Sequence, residues 1–165
     1  MKRVADCMTR PATGISASAP VRAAEEIMAQ HQLNHLLVFD DRRLVGVLCA
    51  CDLRTAPGEA PVERFMASPP MVVLPTAPVE SAATMLAEAH IGCLPVVAGA
   101  RVVGIVTRGD LRRAGVLDTD ATPCACCGSE RHVRPDPLGT GVYYCSECRH
   151  PDPLPEEYED LGNGD

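Results

Sequence analysis

The sequence predicts an α/β fold in which two copies of one β-α-β-β-α unit pack about an approximate two-fold axis, followed by a small metal-held unit. Three observations carry this. Residues 4–56 and 62–114 are one segment written twice, without a gap, at a constant offset of 58. Within each copy, a helical apolar period gives way to a strand hairpin. Behind the copies, five of the nine cysteines fall inside 25 residues.

The duplication is visible residue by residue. Val4 aligns with Val62, Met8 with Met66, Pro11 with Pro69, and Ala19-Pro20-Val21 with Ala77-Pro78-Val79. Val45-Gly46 aligns with Val103-Gly104, and Asp52-Leu53-Arg54 with Asp110-Leu111-Arg112. Two such units pack together to bury faces that neither could bury alone, and the cleft between them is the first place for a ligand.

Each element follows from its local pattern. Pro20 to Gln32 places Val21, Ala24, Ile27, Met28 and His31 on one face of a helix. Pro78 to His90 does the same with Val79, Ala82, Met85, Leu86 and Ala89. A proline near each helix start suits the first turn, where its missing N–H costs nothing. Leu36 to Phe39 and Leu44 to Leu48 flank the polar turn Asp40 to Arg43, a hairpin signature. Leu94 to Val97 and Val102 to Val106 repeat it around Gly99. Pro95 cannot donate to a ladder, so its strand begins there or lies at an edge. Pro57 to Pro61 links the copies, and Asp118 to Pro123 leads out of the second. The expected divisions are 1–58, 59–117, a small unit over 118–150, and a disordered acidic, Pro-rich tail over 151–165.

Composition narrows the class. The apolar fraction of 46% supports a core, and with two Phe, three Tyr and no Trp that core is aliphatic. Residues 1–119 carry 12 basic and 12 acidic side chains, whereas residues 120–165 carry 3 and 10. All of the net charge of −7 therefore sits in the C-terminal part, which argues against nucleic acid as its partner. No signal peptide is evident, and the longest uncharged apolar run, Leu44 to Cys51, is too short to span a bilayer. Cys7, Cys49, Cys51 and Cys93 lie among apolar residues and read as small buried hydrophobes. With an odd cysteine count, these features predict a soluble, cytoplasmic protein in a reducing compartment.

The end of each copy carries the chemistry. In the second it reads Gly104-Ile105-Val106-Thr107-Arg108-Gly109-Asp110. Glycine on a strand allows close approach to the backbone. The Thr107 hydroxyl can meet phosphate or ribose, Asp110 can accept from a ribose diol, and Arg108 can meet a phosphate. A helix N-terminus there also favours an anion. The first copy reads Gly46-Val47-Leu48-Cys49-Ala50-Cys51-Asp52, with a thiol where the hydroxyl should be and alanine for arginine. Asp52 thus marks a degenerate, weak site. A purely structural reading stands beside this one, because an N-cap aspartate stabilises a helix by about 0.5–2 kcal/mol with no ligand at all.

The repeat of about 55 residues ending in Gly-x-x-Thr-x-x-Asp resembles a CBS domain, and two in tandem resemble a Bateman module. The resemblance covers residues 1–117 and implies a homodimer and an adenosine-type ligand such as AMP, ATP or S-adenosylmethionine. It also implies that Thr107 and Asp110 make ribose-phosphate contacts, with Met71 and Val72, in Met71-Val72-Val73, holding the base.

Cys124-Ala125-Cys126-Cys127-Gly128 and Cys145-Ser146-Glu147-Cys148 form two C-x-x-C knuckles separated by 17 residues. Such spacing suits a tetrahedral four-cysteine zinc site formed by Cys124, Cys127, Cys145 and Cys148, although the same cage holds iron. Arg131 to Tyr144 reads as the hairpin between them, and the whole resembles a rubredoxin-like zinc ribbon. So short a segment with so few apolar groups needs the metal to fold. Cys126 is the spare thiol, and His132 and His150 read as surface histidines.

No Gly-x-Ser-x-Gly elbow, Walker loop or His-Glu-x-x-His stretch appears, so the expectation is a non-enzymatic sensor. The ribbon would serve structure or contact a protein partner. The rival readings are a ligand-free interaction adaptor, a thiol- or metal-responsive sensor using Cys126 with Cys49 and Cys51, and a salt-sensitive DNA binder.

Overall fold

The computed structural model describes residues 1–117, 124, 133–135 and 143–144. The first unit contains α1 (Val4–Cys7), β1 (Gly14–Ser16), α2 (Val21–His31), β2 (His35–Asp40) and β3 (Arg43–Cys49), then a 3-10 turn at Ala50–Leu53. The second contains a 3-10 turn at Val62–Arg64, α3 (Val79–Glu88), β4 (Cys93–Ala98), β5 (Arg101–Thr107) and α4 (Arg108–Arg113). Two short strands, β6 (Arg134–Pro135) and β7 (Tyr143–Tyr144), pair antiparallel behind them.

β1 pairs parallel with β2, and β2 antiparallel with β3. The second unit keeps the β4–β5 hairpin but shortens the counterpart of β1 to a single parallel bridge, Val73 to Val96. β4 starts at Cys93, so Pro95 lies inside the strand, where its carbonyl accepts from the Val73 N–H at 3.0 Å. Pro20 and Pro78 stand just before their helices, at the N-cap, with extended backbone.

The duplication extends to the backbone. Gln32 and His90, 58 apart, both close their helix regions with φ of 53°. Asp41 and Gly99, again 58 apart, turn the two hairpins at φ of 53° and 63°. The two cores match position for position. Ile15, Val21, Ala24, Met28, Leu36, Val38, Leu48 and Leu53 form the first, and Val73, Val79, Ala82, Leu86, Leu94, Val96, Val106 and Leu111 the second.

One pair is exchanged. Val4 completes the second core and Val62 the first, both fully buried. Reciprocal backbone hydrogen bonds fix the exchange. Val4 N–H donates to Ala77 and Thr9 N–H to Ile105, while Val62 N–H donates to Ala19 and Ala67 N–H to Val47, all at 2.8–2.9 Å. In space, the start of each copy therefore belongs to the other unit. Leu37, Cys93 and Ile105 fill the seam between the two hairpins, together with Phe39, Val47 and Val102.

This exchange explains Gly46 and Gly104. A Cβ on Gly46 would lie 2.8 Å from the Ala67 carbonyl oxygen and 2.6 Å from Met66 Sδ. A Cβ on Gly104 would lie 2.8 Å from the Thr9 carbonyl oxygen and 2.9 Å from Met8 Sδ. The close approach that glycine permits is taken by the chain's own crossing segments. Gly46→Ala and Gly104→Ala should each destabilise by about 1–3 kcal/mol, because a backbone must shift to admit the methyl group. Urea unfolding of both variants checks this.

Candidate functional site

Two cavities lie where the terminal motifs of the two copies meet the exchanged segments. The first, about 570 Å³, is bordered by Cys49, Cys51 and Asp52, by Ala67 to Met71, and by His90 to Cys93. The second, about 470 Å³, is bordered by Thr107 to Asp110, by Thr9, Pro11 and Thr13, and by Gln32 to His35. Each is the 58-residue image of the other, and His35 and Gly92 stand in the wall of both.

The second cavity unites Thr107, Arg108 and Asp110, with Arg112 and Arg113 beside them. Asp110 is 1% exposed and its carboxylate is fully engaged. Oδ2 accepts from the Thr107 N–H at 2.8 Å and the Thr107 hydroxyl at 2.9 Å. Oδ1 accepts from the Thr9 hydroxyl at 2.9 Å and from the Arg113 guanidinium. The Thr107 hydroxyl accepts in turn from the Asp110 N–H at 3.2 Å, completing the cap of α4. This pattern follows from sequence: Thr then Asp three residues on is a reciprocal capping arrangement. Arg113, largely exposed, is the member of this network that can swing away.

The other expected residues are placed differently. Arg108 donates to the carbonyls of Leu86 at 2.9 Å and Ile91 at 3.3 Å, holding the C-terminal end of α3. Met71 borders the first cavity, beside Asp52, so it does not share a cavity with Thr107 and Asp110. Val72 borders neither cavity, and Gly104 packs on Thr9. The positions facing Thr107 are instead Thr9, Pro11 and Thr13, the counterparts of Ala67, Pro69 and Met71. The exchange of the leading segments causes this difference. A doubled offset table would have shown the candidates, but not which copy each one serves.

In the first cavity, Asp52 Oδ2 accepts from the Cys49 N–H at 3.2 Å, and burial pushes the Asp52 carboxyl up, with that hydrogen bond opposing. The Cys49 and Cys51 sulfurs lie 2.8 Å apart, and Cys51 also takes part in a disulfide. Among the described residues, no Lys or Arg borders this cavity. Cys93 is buried, which pushes its thiol up to about 12, so it packs as a protonated hydrophobe at neutral pH.

Of the expected metal ligands, Cys124 is 2% exposed and packs with Cys49, Cys51, Val133 and Tyr144. Arg54 lies over the Tyr144 ring at 4.2 Å, so β7 docks on the end of the first copy. Cys127, Cys145 and Cys148, the spare Cys126, His132 and His150, and the acidic tail lie outside the described residues. Among the described residues, no helix is long and apolar enough to cross a membrane.

Comparison with known proteins agrees with this architecture. The chain is 32% identical over 117 residues to the CBS domain-containing protein YhcV of Bacillus subtilis, covering 67% of this chain and 84% of that one. It is 27% identical to the A-adding tRNA nucleotidyltransferase of Geobacter sulfurreducens over 79% of its own length, but spans only 16% of that protein. Among solved structures, the CBS domain pair of protein MJ0100, in complex with 5′-methylthioadenosine and S-adenosyl-L-methionine, superposes with a TM-score of 0.65 at 28% identity. That match covers 70% of this chain and 96% of the other. CBSX2 in complex with AMP gives a TM-score of 0.63 at 30% identity, over 70% and 97% of the two chains. The model of the CBS domain family matches residues 4–59 and again 62–117, so the chain belongs to the CBS domain family and carries its domains as a tandem pair.

Proposed function

We propose that this protein is a non-enzymatic, cytoplasmic regulatory sensor that binds an adenosine-type ligand, such as AMP or ATP, in its second cavity. The observation that carries the reading is an asymmetry between two otherwise matching cavities. Thr9, Thr107, Asp110 and three arginines border one, and cysteines, Ala67 and Asp52 border the other. Hydroxyls, a carboxylate and guanidinium groups suit ribose and phosphate. The related pairs crystallised with AMP, or with 5′-methylthioadenosine and S-adenosyl-L-methionine, support the same ligand class. A homodimer is part of this reading.

Calorimetric titration with AMP, ATP and S-adenosylmethionine tests it. At least one should bind, and Asp110→Asn should weaken it by about tenfold or more, about 1.4 kcal/mol. Asp52→Asn should leave it unchanged. Equal affinities in native protein and Asp110→Asn would remove Asp110 from the site. No thermal stabilisation by any of the three would favour the ligand-free adaptor.

Residues 118–150 form, in this proposal, a zinc ribbon held by Cys124, Cys127, Cys145 and Cys148, giving structure or a protein contact. The knuckle spacing and the buried Cys124 packed under β7 support it. The metal would fix four thiolates that otherwise have little apolar surface to hold them. Elemental analysis should find about one zinc or iron per chain that is lost in Cys145→Ser/Cys148→Ser. A metal content that this double variant leaves unchanged would refute the ribbon.

A further inference from the structure

Resting on the nucleotide reading of the second cavity, we infer that Cys124 and the β6–β7 pair dock on the end of the first copy as part of that cavity's wall. Ligand binding in the second cavity and docking of the C-terminal residues then stabilise one another.

Cys124 is the meeting point. It is 2% exposed and packs against Cys49 and Cys51 of the first copy and against Val133 and Tyr144. It also borders the second cavity, in company with Thr107, Asp110 and His35. Val116 and Leu117 pack on the second core, so the chain passes from one unit to the other between Leu117 and Cys124. A second contact lies outside the cavity: the exposed Arg54 guanidinium stands over the Tyr144 ring at 4.2 Å. Arg54 follows the 3-10 turn Ala50–Leu53, which continues β3. The last residue of β3, Cys49, pairs with His35 in the partition between the cavities. One short stretch of paired backbone therefore joins the seat of Tyr144 to the wall of the second cavity.

The two motif ends, 58 residues apart, have parted in use. Thr107, Gly109 and Arg112, which border the second cavity, correspond to Cys49, Cys51 and Arg54. In the first copy these positions carry the sulfurs under Cys124 and the guanidinium over Tyr144. Hydroxyl chemistry suited to a ribose is exchanged for a polarisable surface suited to packing. One end faces the ligand, and the other seats the residues that follow. A ligand that touches a wall present only in the docked arrangement must favour docking. By linkage, docking favours the ligand to the same degree.

The test uses the full chain in reducing buffer, so that packing is read without the Cys51 disulfide. Calorimetry with AMP, ATP and S-adenosylmethionine is run on native protein and on Arg54→Ala, Tyr144→Ala and Tyr144→Phe. Neither Arg54 nor Tyr144 borders the second cavity. Each alanine should nonetheless weaken whichever compound binds by about two- to fivefold, the worth of one cation–π contact. Tyr144→Phe keeps the ring beneath Arg54 and should bind as native protein does. Hydrogen exchange read by mass spectrometry gives the reciprocal effect. The ligand should slow exchange in the peptide carrying Tyr143 and Tyr144, and Asp110→Asn should lose that protection at the same ligand concentration. Native affinity in both alanine variants, with exchange at Tyr144 indifferent to ligand, overturns the inference while leaving the nucleotide site in place. Absence of binding by all three compounds instead overturns the nucleotide reading and this inference with it.

Discussion

Asp110→Ala should lower the stability of the protein by about 2–4 kcal/mol, measured by urea unfolding at neutral pH. The carboxylate is buried and joins three elements: the Thr107 cap at the start of α4, the Thr9 hydroxyl from the exchanged segment, and Arg113 one turn on. Alanine removes the carboxylate half of the capping box, while the Thr107 hydroxyl still accepts from the backbone N–H at position 110. It also leaves the Thr107 N–H and the Thr9 hydroxyl to find partners in a half-buried setting, at about 1–3 kcal/mol for a group left unsatisfied. Asp110→Asn keeps an acceptor for the cap and should cost less than half as much. A loss below about 1 kcal/mol for alanine would show that the network does not tie these elements together.

That result bears on the ligand. A ribose hydroxyl reaches Asp110 only by replacing an existing donor, and the mainly exposed Arg113 is the one that can yield. An arginine released in this way stays beside the cavity, free to turn toward phosphate. Structural capping and ligand binding are therefore not competing roles for Asp110. In the proposed site the same carboxylate would hold the pocket in shape when empty and would exchange one partner when filled.

The sequence made the periodic features legible. Apolar spacing placed α2 and α3, and the polar turns at Asp41 and Gly99 placed both hairpins within a residue at each strand end. These follow from chain-local chemistry, which an ungapped repeat states twice. The exchange of Val4 and Val62 between cores was not legible. Identical units present identical faces, so burial alone cannot say whether a leading segment packs on its own copy or on the other. Sequence order alone therefore assigns Met71 to the Asp110 site, whereas the structure sets it beside Asp52. The glycines do permit close approach, but the neighbour that uses it is this chain's own crossing segment. Arg108 shows a further limit: its charge was evident, while its use on the Leu86 and Ile91 carbonyls depends on where α3 ends.

Acidification should destabilise the native protein by up to about 3 kcal/mol through His35 alone. His35 is mostly buried in the wall shared by both cavities, and desolvation pushes its pKa down from 6.5 to about 4. The neutral ring is favoured in the folded state, whereas the unfolded chain takes up a proton near the ordinary value. The unfolded state thus binds more protons between the two values. Stability attributable to this residue is complete above about pH 6.5, declines as the pH falls, and is lost by about pH 4. Asp52, whose carboxyl is raised by burial, opposes the trend at the acidic end. Cys93, whose thiol burial pushes up to about 12, stays protonated throughout this window. Comparing native protein with His35→Gln isolates the residue: the difference in unfolding free energy should vary between pH 7 and pH 4 by most of that amount. Parallel stability curves would mean that the folded protein admits a charged ring at this wall. That outcome would in turn require water to reach the partition between the two cavities.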